Sequence, residues 1–345
     1  MSFILLLLDW YHTHKRPLPW RLERKVFNVW LSEIILQQTR VNQGLNYYEK
    51  FVNHFSDVHE LAKADEQLVL NLWQGLGYYT RARNLHKTAK IISNDFHGEF
   101  PNNFNDLKKL PGIGPYTAAA IASICFDEKV PAIDGNAYRV YARLFGLDKD
   151  ISDSNAHKFY FNYVLEIMPN ENTGDFNEAI MELGATICMP QSPKCKDCPI
   201  AESCVAYQTG RIEKYPVKTK KVKVRKRNFH YFFVFDALTN EFLVQKRINK
   251  DVWQNLYDLP MIETKTKNYD VSFIPKNKVS KVGELRHILT HQHLNIQFYE
   301  FQGGIEEFQT TTNQDFLRIK TSEIKHTPFP KPIASFLADK FPEMV

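Results

Sequence analysis

No stretch of the 345-residue sequence approaches membrane length: the opening apolar run, Phe3–Leu8, holds six residues, against the ~20 that a spanning helix needs. Nor does that run carry the marks of a secretory leader. No basic stretch precedes it, and Asp9, Trp10 and Tyr11 follow where small residues would mark a cleavage site. The expectation is a buried helix start in a soluble, cytoplasmic protein. Internal repeats are missing, and low complexity is confined to one basic stretch, so composition argues for ordinary globular domains, about two at this length. Cysteine is scarce too, but four of the five, Cys188, Cys195, Cys198 and Cys204, fall in one short segment with gaps of six, two and five residues. Without a leader, such crowding suits a metal better than a disulfide framework. A tetrahedral zinc site and a four-thiolate iron–sulfur cluster both fit the donors, the open six-residue loop suiting a bulkier group; spacing does not separate the two, and four packed thiols stay the bland alternative.

Acidic residues are absent from Lys214 to Phe235, while Lys214, Lys218, Lys220, Lys221, Lys223, Arg225, Lys226 and Arg227 crowd the start of that interval. With a net charge of +5, this permits a polyanionic partner, and the stretch reads as a solvated linker or a tether lying along phosphate. The period of apolar residues changes across it. Before it, Val26–Gln38, Gln67–Trp73, Tyr78–Asn94, Tyr116–Cys125, Asn136–Phe145 and Ala156–Met168 repeat at helical spacing. After it, His230–Ala237, Glu241–Gln245, Leu294–Phe301 and Gln314–Ile319 read as strands of a mixed α and β domain, and Tyr269–Lys281 has no clear period. The expected domains are 1–213, a linker 214–227, and 228–345.

Three short strings carry chemistry. Leu110–Thr117 joins two helical segments through Pro111, Gly112, Ile113 and Gly114; glycines there let backbone approach a ligand, and the next helix start offers free amides to phosphate, unless the string is merely a tight turn. Asp134, with Gly135 and Asn136 behind it, is either a plain helix cap or a carboxylate held beside that turn. Glu33 sits in a strongly apolar helix that closes on Gln37, Gln38, Thr39 and Arg40; a buried glutamate is rare unless paired or functional, though this one could also be solvated.

Taken together, these strings resemble the MutY-type adenine DNA glycosylases of the helix-hairpin-helix superfamily across nearly the whole chain. The match runs through Leu18, Pro19, Trp20 and Arg21, Trp30 to Glu33, Gln37 to Val41, Gly75 to Tyr79, Arg81 to Asn84, Leu110 to Thr117, Ile133 to Asn136, and the cysteine quartet. The resemblance implies an all-α helix-hairpin-helix domain bearing a 4Fe–4S cluster on Cys188, Cys195, Cys198 and Cys204 in the segment 188–204. It implies that Glu33 is the acid protonating adenine, that Asp134 faces the sugar with Tyr116 and Asn136 as neighbours, and that Arg21 lies in the base pocket. Gln38 and Tyr78 match residues that wedge into duplex DNA, and Gly112 and Gly114 belong to the hairpin. Breaking an N-glycosidic bond requires protonating the leaving base and stabilising the sugar cation, two tasks that a carboxyl pair divides. Endonuclease III-type relatives, the rival reading, carry a lysine where this chain has Tyr116, which favours a glycosylase without strand cleavage.

In the C-terminal segment Gln245, Lys246, Arg247 and Trp253–Pro260 resemble a Nudix-like α+β domain, and the Arg-Glu and Glu-Glu set needed to hold magnesium is not apparent. Recognition of 8-oxoguanine opposite adenine is what the resemblance implies, through Leu289, Thr290 and His291, where the family more often has Phe-Ser-His. His287, His291 and His293 also invite a metal reading, which strand alternation weakens. The expected partner is duplex DNA containing adenine mispaired with 8-oxoguanine or guanine, clamped by two domains of a monomer.

Overall fold

The computed structural model describes residues 2–220, 224–267, 274–289 and 291–344. Two compact units emerge: Met1–Lys63 with Asn84–Lys220, and Ala64–Arg83 with Lys221–Val345. Residues 64–83, which the sequence places in the first domain, are thus grouped with the C-terminal segment. The reason is a set of long-range hydrogen bonds: Asn71 Nδ2 donates to Lys325 O at 2.7 Å, Arg83 Nη1 to Gln254 O at 2.6 Å, and Asn255 Nδ2 to the Glu66 carboxylate at 3.0 Å.

The first unit is helical. Its opening run folds as the helix Phe3–His14, capped by Ser2, with Leu7 and Tyr11 fully buried against Tyr141, Tyr160, Val164 and Leu183. The helix Pro115–Phe126 is apolar nearly all round and buries Ala118, Ala119, Ala120, Ile121 and Ala122 completely, as befits a central element. Against it lies the helix Thr173–Thr186, at a separation that only glycine permits: a Cβ on Gly174 would stand 2.7 Å from Ile124 Cα. The buried Asn177 amide stitches this layer, donating to Ser123 Oγ and Val130 O, both at 2.9 Å, and accepting from Ala132 N at 3.1 Å.

The helices Phe104–Leu107 and Pro115–Phe126 form the hairpin expected at Leu110–Thr117. Gly112 adopts φ +76°, a left-handed conformation that glycine enters freely, and a Cβ there would press Asn84 Cβ at 2.7 Å. Gly112 and Gly114 are exposed, leaving the turn open to an approaching backbone.

The second unit carries β1 (Arg225–Phe233), β2 (Phe235–Asp236), β3 (Glu241–Lys246), β4 (Tyr257–Asp258), β5 (Met261–Thr264), β6 (Val279–Ile288), β7 (Gln292–Phe301) and β8 (Leu317–Lys320). One sheet runs β5-β1-β7-β6, with β1 and β7 parallel and the other pairs antiparallel; β3 organises the second by pairing with β2, β4 and β8. Arg225, Lys226 and Arg227 therefore start β1 and are not linker. The basic run hid this strand because the Arg227 side chain is 5% exposed, forked between Asp251 and Glu263 at 2.7–2.8 Å and stacked on Phe229. Of the aperiodic stretch Tyr269–Lys281, Val279–Lys281 opens β6, and 269–273 lie outside the described residues.

Candidate active site

Three distant strings of the first unit meet at one cleft of about 630 Å³. Glu33 and Gln38 reach it from the end of the helix Val26–Leu36, Gly112, Gly114 and Tyr116 from the hairpin, and Asp134 and Asn136 from the start of the helix Gly135–Phe145; Arg21 lines it as well.

Glu33 is 9% exposed, flanked by Ser32, Ile34 and Ile35, all buried. Burial pushes its carboxyl up to about 7; the Tyr116 hydroxyl in the same cleft pulls the other way, and the charges of Asp134 and Glu178 add to the rise. Near neutrality this group is therefore poised between its acid and carboxylate forms.

Asp134 caps its helix and also lines the cleft beside the hairpin turn. One oxygen caps the helix by accepting from Ala137 N at 2.7 Å, and the other accepts from Asn136 Nδ2 at 2.8 Å. Burial raises its pKa, while these hydrogen bonds and the nearby Arg139 favour the carboxylate. Asn136 is itself fixed, its Oδ1 accepting from Arg139 Nη2 at 2.9 Å.

Sequence reasoning missed an acidic face on the helix Thr173–Thr186. Glu182 accepts from Arg16 Nε at 2.6 Å and pairs with Arg21 at 2.9 Å, Glu178 pairs with Arg21 at 2.9 Å and with Arg24 at 2.7 Å, and Arg24 also pairs with Asp175. Arg21 is thereby committed to two carboxylates, which leaves Glu33 without a full counter-ion and lets desolvation dominate its titration. Phe176, Ala179, Ile180 and Leu183 repeat at helical spacing and could have located this helix. The pairings could not have been found so, since the partners lie some 150 residues apart.

The four cysteines of 188–204 are half-buried free thiols. Burial and the neighbouring thiols raise Cys195, Cys198 and Cys204, with Cys198 pushed up to about 12, so the four stand within each other's electrostatic reach. Among the described residues, no three His, Cys, Asp or Glu side chains are drawn in tightly enough to hold a single metal ion. Four soft sulfur donors held this near one another suit an iron–sulfur group, which takes them as thiolates. Arg143 braces the segment by donating to Met189 O at 2.8 Å, to Pro190 O at 3.2 Å and to Cys188 Sγ at 3.4 Å. Arg139 Nε donates to Cys188 O at 2.7 Å, so a single guanidinium touches both the cysteine segment and Asn136.

Within the second unit a separate cleft of about 510 Å³ brings Tyr78 together with Trp253, His287, Leu289 and His291. Tyr78 is 39% exposed, at φ +51°. Leu289 N donates to Gln292 O at 2.8 Å, closing the turn between β6 and β7 that presents His291. Thr290 lies outside the described residues.

No helix among the described residues is long and apolar enough to cross a membrane. Residues 31–160 match the model of the HhH-GPD superfamily base excision DNA repair proteins, and residues 230–339 match that of the NUDIX domain. The adenine DNA glycosylase of Buchnera aphidicola subsp. Schizaphis graminum is 38% identical over 301 residues, 85% of this chain and 86% of that protein. Its counterpart from Buchnera aphidicola subsp. Acyrthosiphon pisum is 33% identical over 344 residues, covering 97% and 96%. Among solved structures, a thermostable thymine-DNA glycosylase superposes with a TM-score of 0.55 at 29% identity, over 60% of this chain and 95% of that one. With a helical hairpin domain joined to a Nudix-like domain, the chain belongs to the MutY-type adenine DNA glycosylases of base excision repair.

Proposed function

We propose that this glycosylase hydrolyses the bond between adenine and deoxyribose where adenine is mispaired with 8-oxoguanine or guanine, leaving an abasic site in an uncut strand. The observation that carries the chemistry is the meeting of Glu33 and Asp134 in one cleft beside the exposed hairpin glycines. Duplex DNA does not present adenine to such a cleft, so the base must leave the stack, at a cost of a few kcal/mol. Gln38 is the candidate to fill the space it vacates, and Arg21 lines the receiving cleft.

Protonated Glu33 gives its proton to a ring nitrogen of adenine as the C1′–N9 bond breaks, and the bonding pair leaves with the base. Asp134, whose carboxylate form Ala137 N, Asn136 and Arg139 favour against the burial that raises its pKa, faces the sugar cation until water adds at C1′ and passes its proton to the Glu33 carboxylate. Tyr116 occupies the place where a lysine would form a covalent adduct, so the strand stays uncut. Cys188, Cys195, Cys198 and Cys204 would hold a 4Fe–4S cluster whose chemistry here is structural. Arg139 then ties the braced segment to Asn136 and Asp134, and exposed Lys194 and Lys196 offer charge to phosphate.

For the opposite base, Tyr78 and His291 lining one cleft supports reading of 8-oxoguanine there. The test is excision on duplexes with adenine opposite 8-oxoguanine, guanine and thymine. Alkali-dependent cleavage of the first two, without a borohydride-trapped adduct, is expected; a trapped adduct contradicts the monofunctional reading. In the same assay, changing Thr290 and His291 together to alanine is expected to reduce the preference for 8-oxoguanine over guanine by about tenfold, the weight of one hydrogen bond to a charged or buried partner. An unchanged ratio removes these residues from lesion reading.

Metal analysis is expected to return iron and sulfide near four of each per chain, and zinc in their place would overturn the cluster. Losing the metal is expected to lower excision before it unfolds the helical unit, because the tie through Arg139 reaches Asp134.

A further inference from the structure

Met181 has no place in the chemistry described so far, yet it lines the cleft from the helix Thr173–Thr186 and its Sδ stands 3.1 Å from the Tyr116 hydroxyl. The Glu33 carboxyl lines the same cleft beside that hydroxyl, and each bears on the other's titration. A tyrosine has one proton to donate. If that proton points at Glu33, it stabilises the carboxylate, the wrong form for an acid. If it points at sulfur, the tyrosine oxygen is free to accept from protonated Glu33.

We infer that Met181 is a positioning residue for the acid: its sulfur accepts the Tyr116 hydroxyl's hydrogen bond while Glu33 is protonated, and the hydroxyl turns to Glu33 once the acid has delivered its proton to the base. Before reaction the chain of donors is neutral, from Glu33 O–H to Tyr116 Oη–H to Met181 Sδ. As the glycosidic bond breaks and Glu33 loses its proton, the Tyr116 hydroxyl turns from sulfur to the new carboxylate. A weak neutral contact is exchanged for a charge-assisted one, roughly twice as strong, at the moment when negative charge appears. A thioether suits this because it is a weak acceptor, adequate to hold the hydroxyl and easily surrendered. Other groups face the pair from every side. Asp134 and Glu178 bear on both Glu33 and Tyr116, and Arg21 bears on Glu33 but is committed to Glu178 and Glu182, each at 2.9 Å. None of them supplies a neutral acceptor for the tyrosine proton.

The inference rests on Glu33 being the acid of the proposed function. Its test is the pH dependence of single-turnover adenine excision by the full-length protein, on a duplex with adenine opposite 8-oxoguanine. Met181→Leu keeps the volume and removes the acceptor, so Tyr116 stays turned to Glu33. The alkaline midpoint is expected to fall by about half to one pH unit, the weight of one hydrogen bond. Met181→Gln, which restores an oxygen acceptor, is expected to return the midpoint toward that of the parent. In a Tyr116→Phe background, Met181→Leu is expected to move the midpoint no further. An unmoved midpoint in Met181→Leu overturns the inference, as does an equal shift with and without the Tyr116 hydroxyl; should Met181→Leu not fold, Met181→Ile serves the same comparison. If Glu33→Gln still excises adenine, the acid assignment itself falls, a result distinct from an inactive Glu33→Gln with an unmoved Met181→Leu midpoint.

Discussion

Glu33→Gln is expected to reduce adenine excision by at least the roughly 10²- to 10⁴-fold that general acid catalysis supplies, while leaving duplex binding intact. The amide has the shape of the acid and lacks the transferable proton, and the cleft around it is otherwise unchanged. In the parent, single-turnover excision is expected to decline as pH rises through about 7, where burial places the Glu33 titration, whereas residual excision by Glu33→Gln keeps no such limb. In Glu33→Gln, stability should move in the opposite sense to activity. The folded-state pKa lies above the unfolded value near 4.5, so the protonated group is tolerated at low pH. Stability is then lost as pH climbs from about 4.5 to about 7, by roughly 3 kcal/mol in all. A neutral glutamine escapes that loss. Glu33→Gln is therefore expected to melt above the parent at pH 8 and close to it at pH 4. Undiminished excision would remove Glu33 from the chemistry, and a melting point that falls at pH 8 would show that its charge is stabilised by groups other than those described.

The fold was legible where a segment's own residues decide its structure. Apolar spacing located the helices around Val26–Leu36, Thr80–Asp95 and Pro115–Phe126, and Gly112 marked the hairpin by the positive φ that its turn needs. Tertiary charge pairing hid the rest. Nothing in their local sequence marks Glu178 and Glu182 as buried, because Arg16, Arg21 and Arg24 arrive from the far end of the unit, and Arg227 read as linker until Asp251 and Glu263 take it into a sheet. The strand β6 escaped notice for a different reason. As an edge strand it exposes Val282, Leu285 and Ile288 together with Lys281, Glu284 and Arg286, so no clean alternation of apolar and polar residues marks it. At the cleft, Glu33 could be picked out by type, since an acid inside an apolar helix is rare, and Asp134 by its place before Gly135 and Asn136 at a helix start. Their mutual approach, and the commitment of Arg21 elsewhere, are properties of packing alone.

Asp134→Asn is expected to lower excision about 10²- to 10³-fold, the usual effect of deleting one preorganised electrostatic contact to a developing charge, and to do so evenly across pH. The change is demanding because Asp134 caps its helix and, in the proposed function, also faces the sugar cation. Asparagine caps helices as well as aspartate does, so its oxygen can keep the bond from Ala137 N. Its NH₂ would then face Asn136 Nδ2, a donor against a donor, where a 2.8 Å hydrogen bond had been. Asn136 could turn its own oxygen inward only by abandoning Arg139 Nη2, 2.9 Å away. One hydrogen bond is lost either way, at about 1 kcal/mol, far short of what unfolds a domain. Asp134→Ser separates the two functions, because serine also caps and its hydroxyl carries no charge to set against the sugar cation. Both variants are expected to retain the helical circular dichroism and nearly the melting point of the parent while losing excision. A protein that loses both together would mean that Asp134 serves the helix alone, and that the sugar cation meets its counter-charge elsewhere in the cleft.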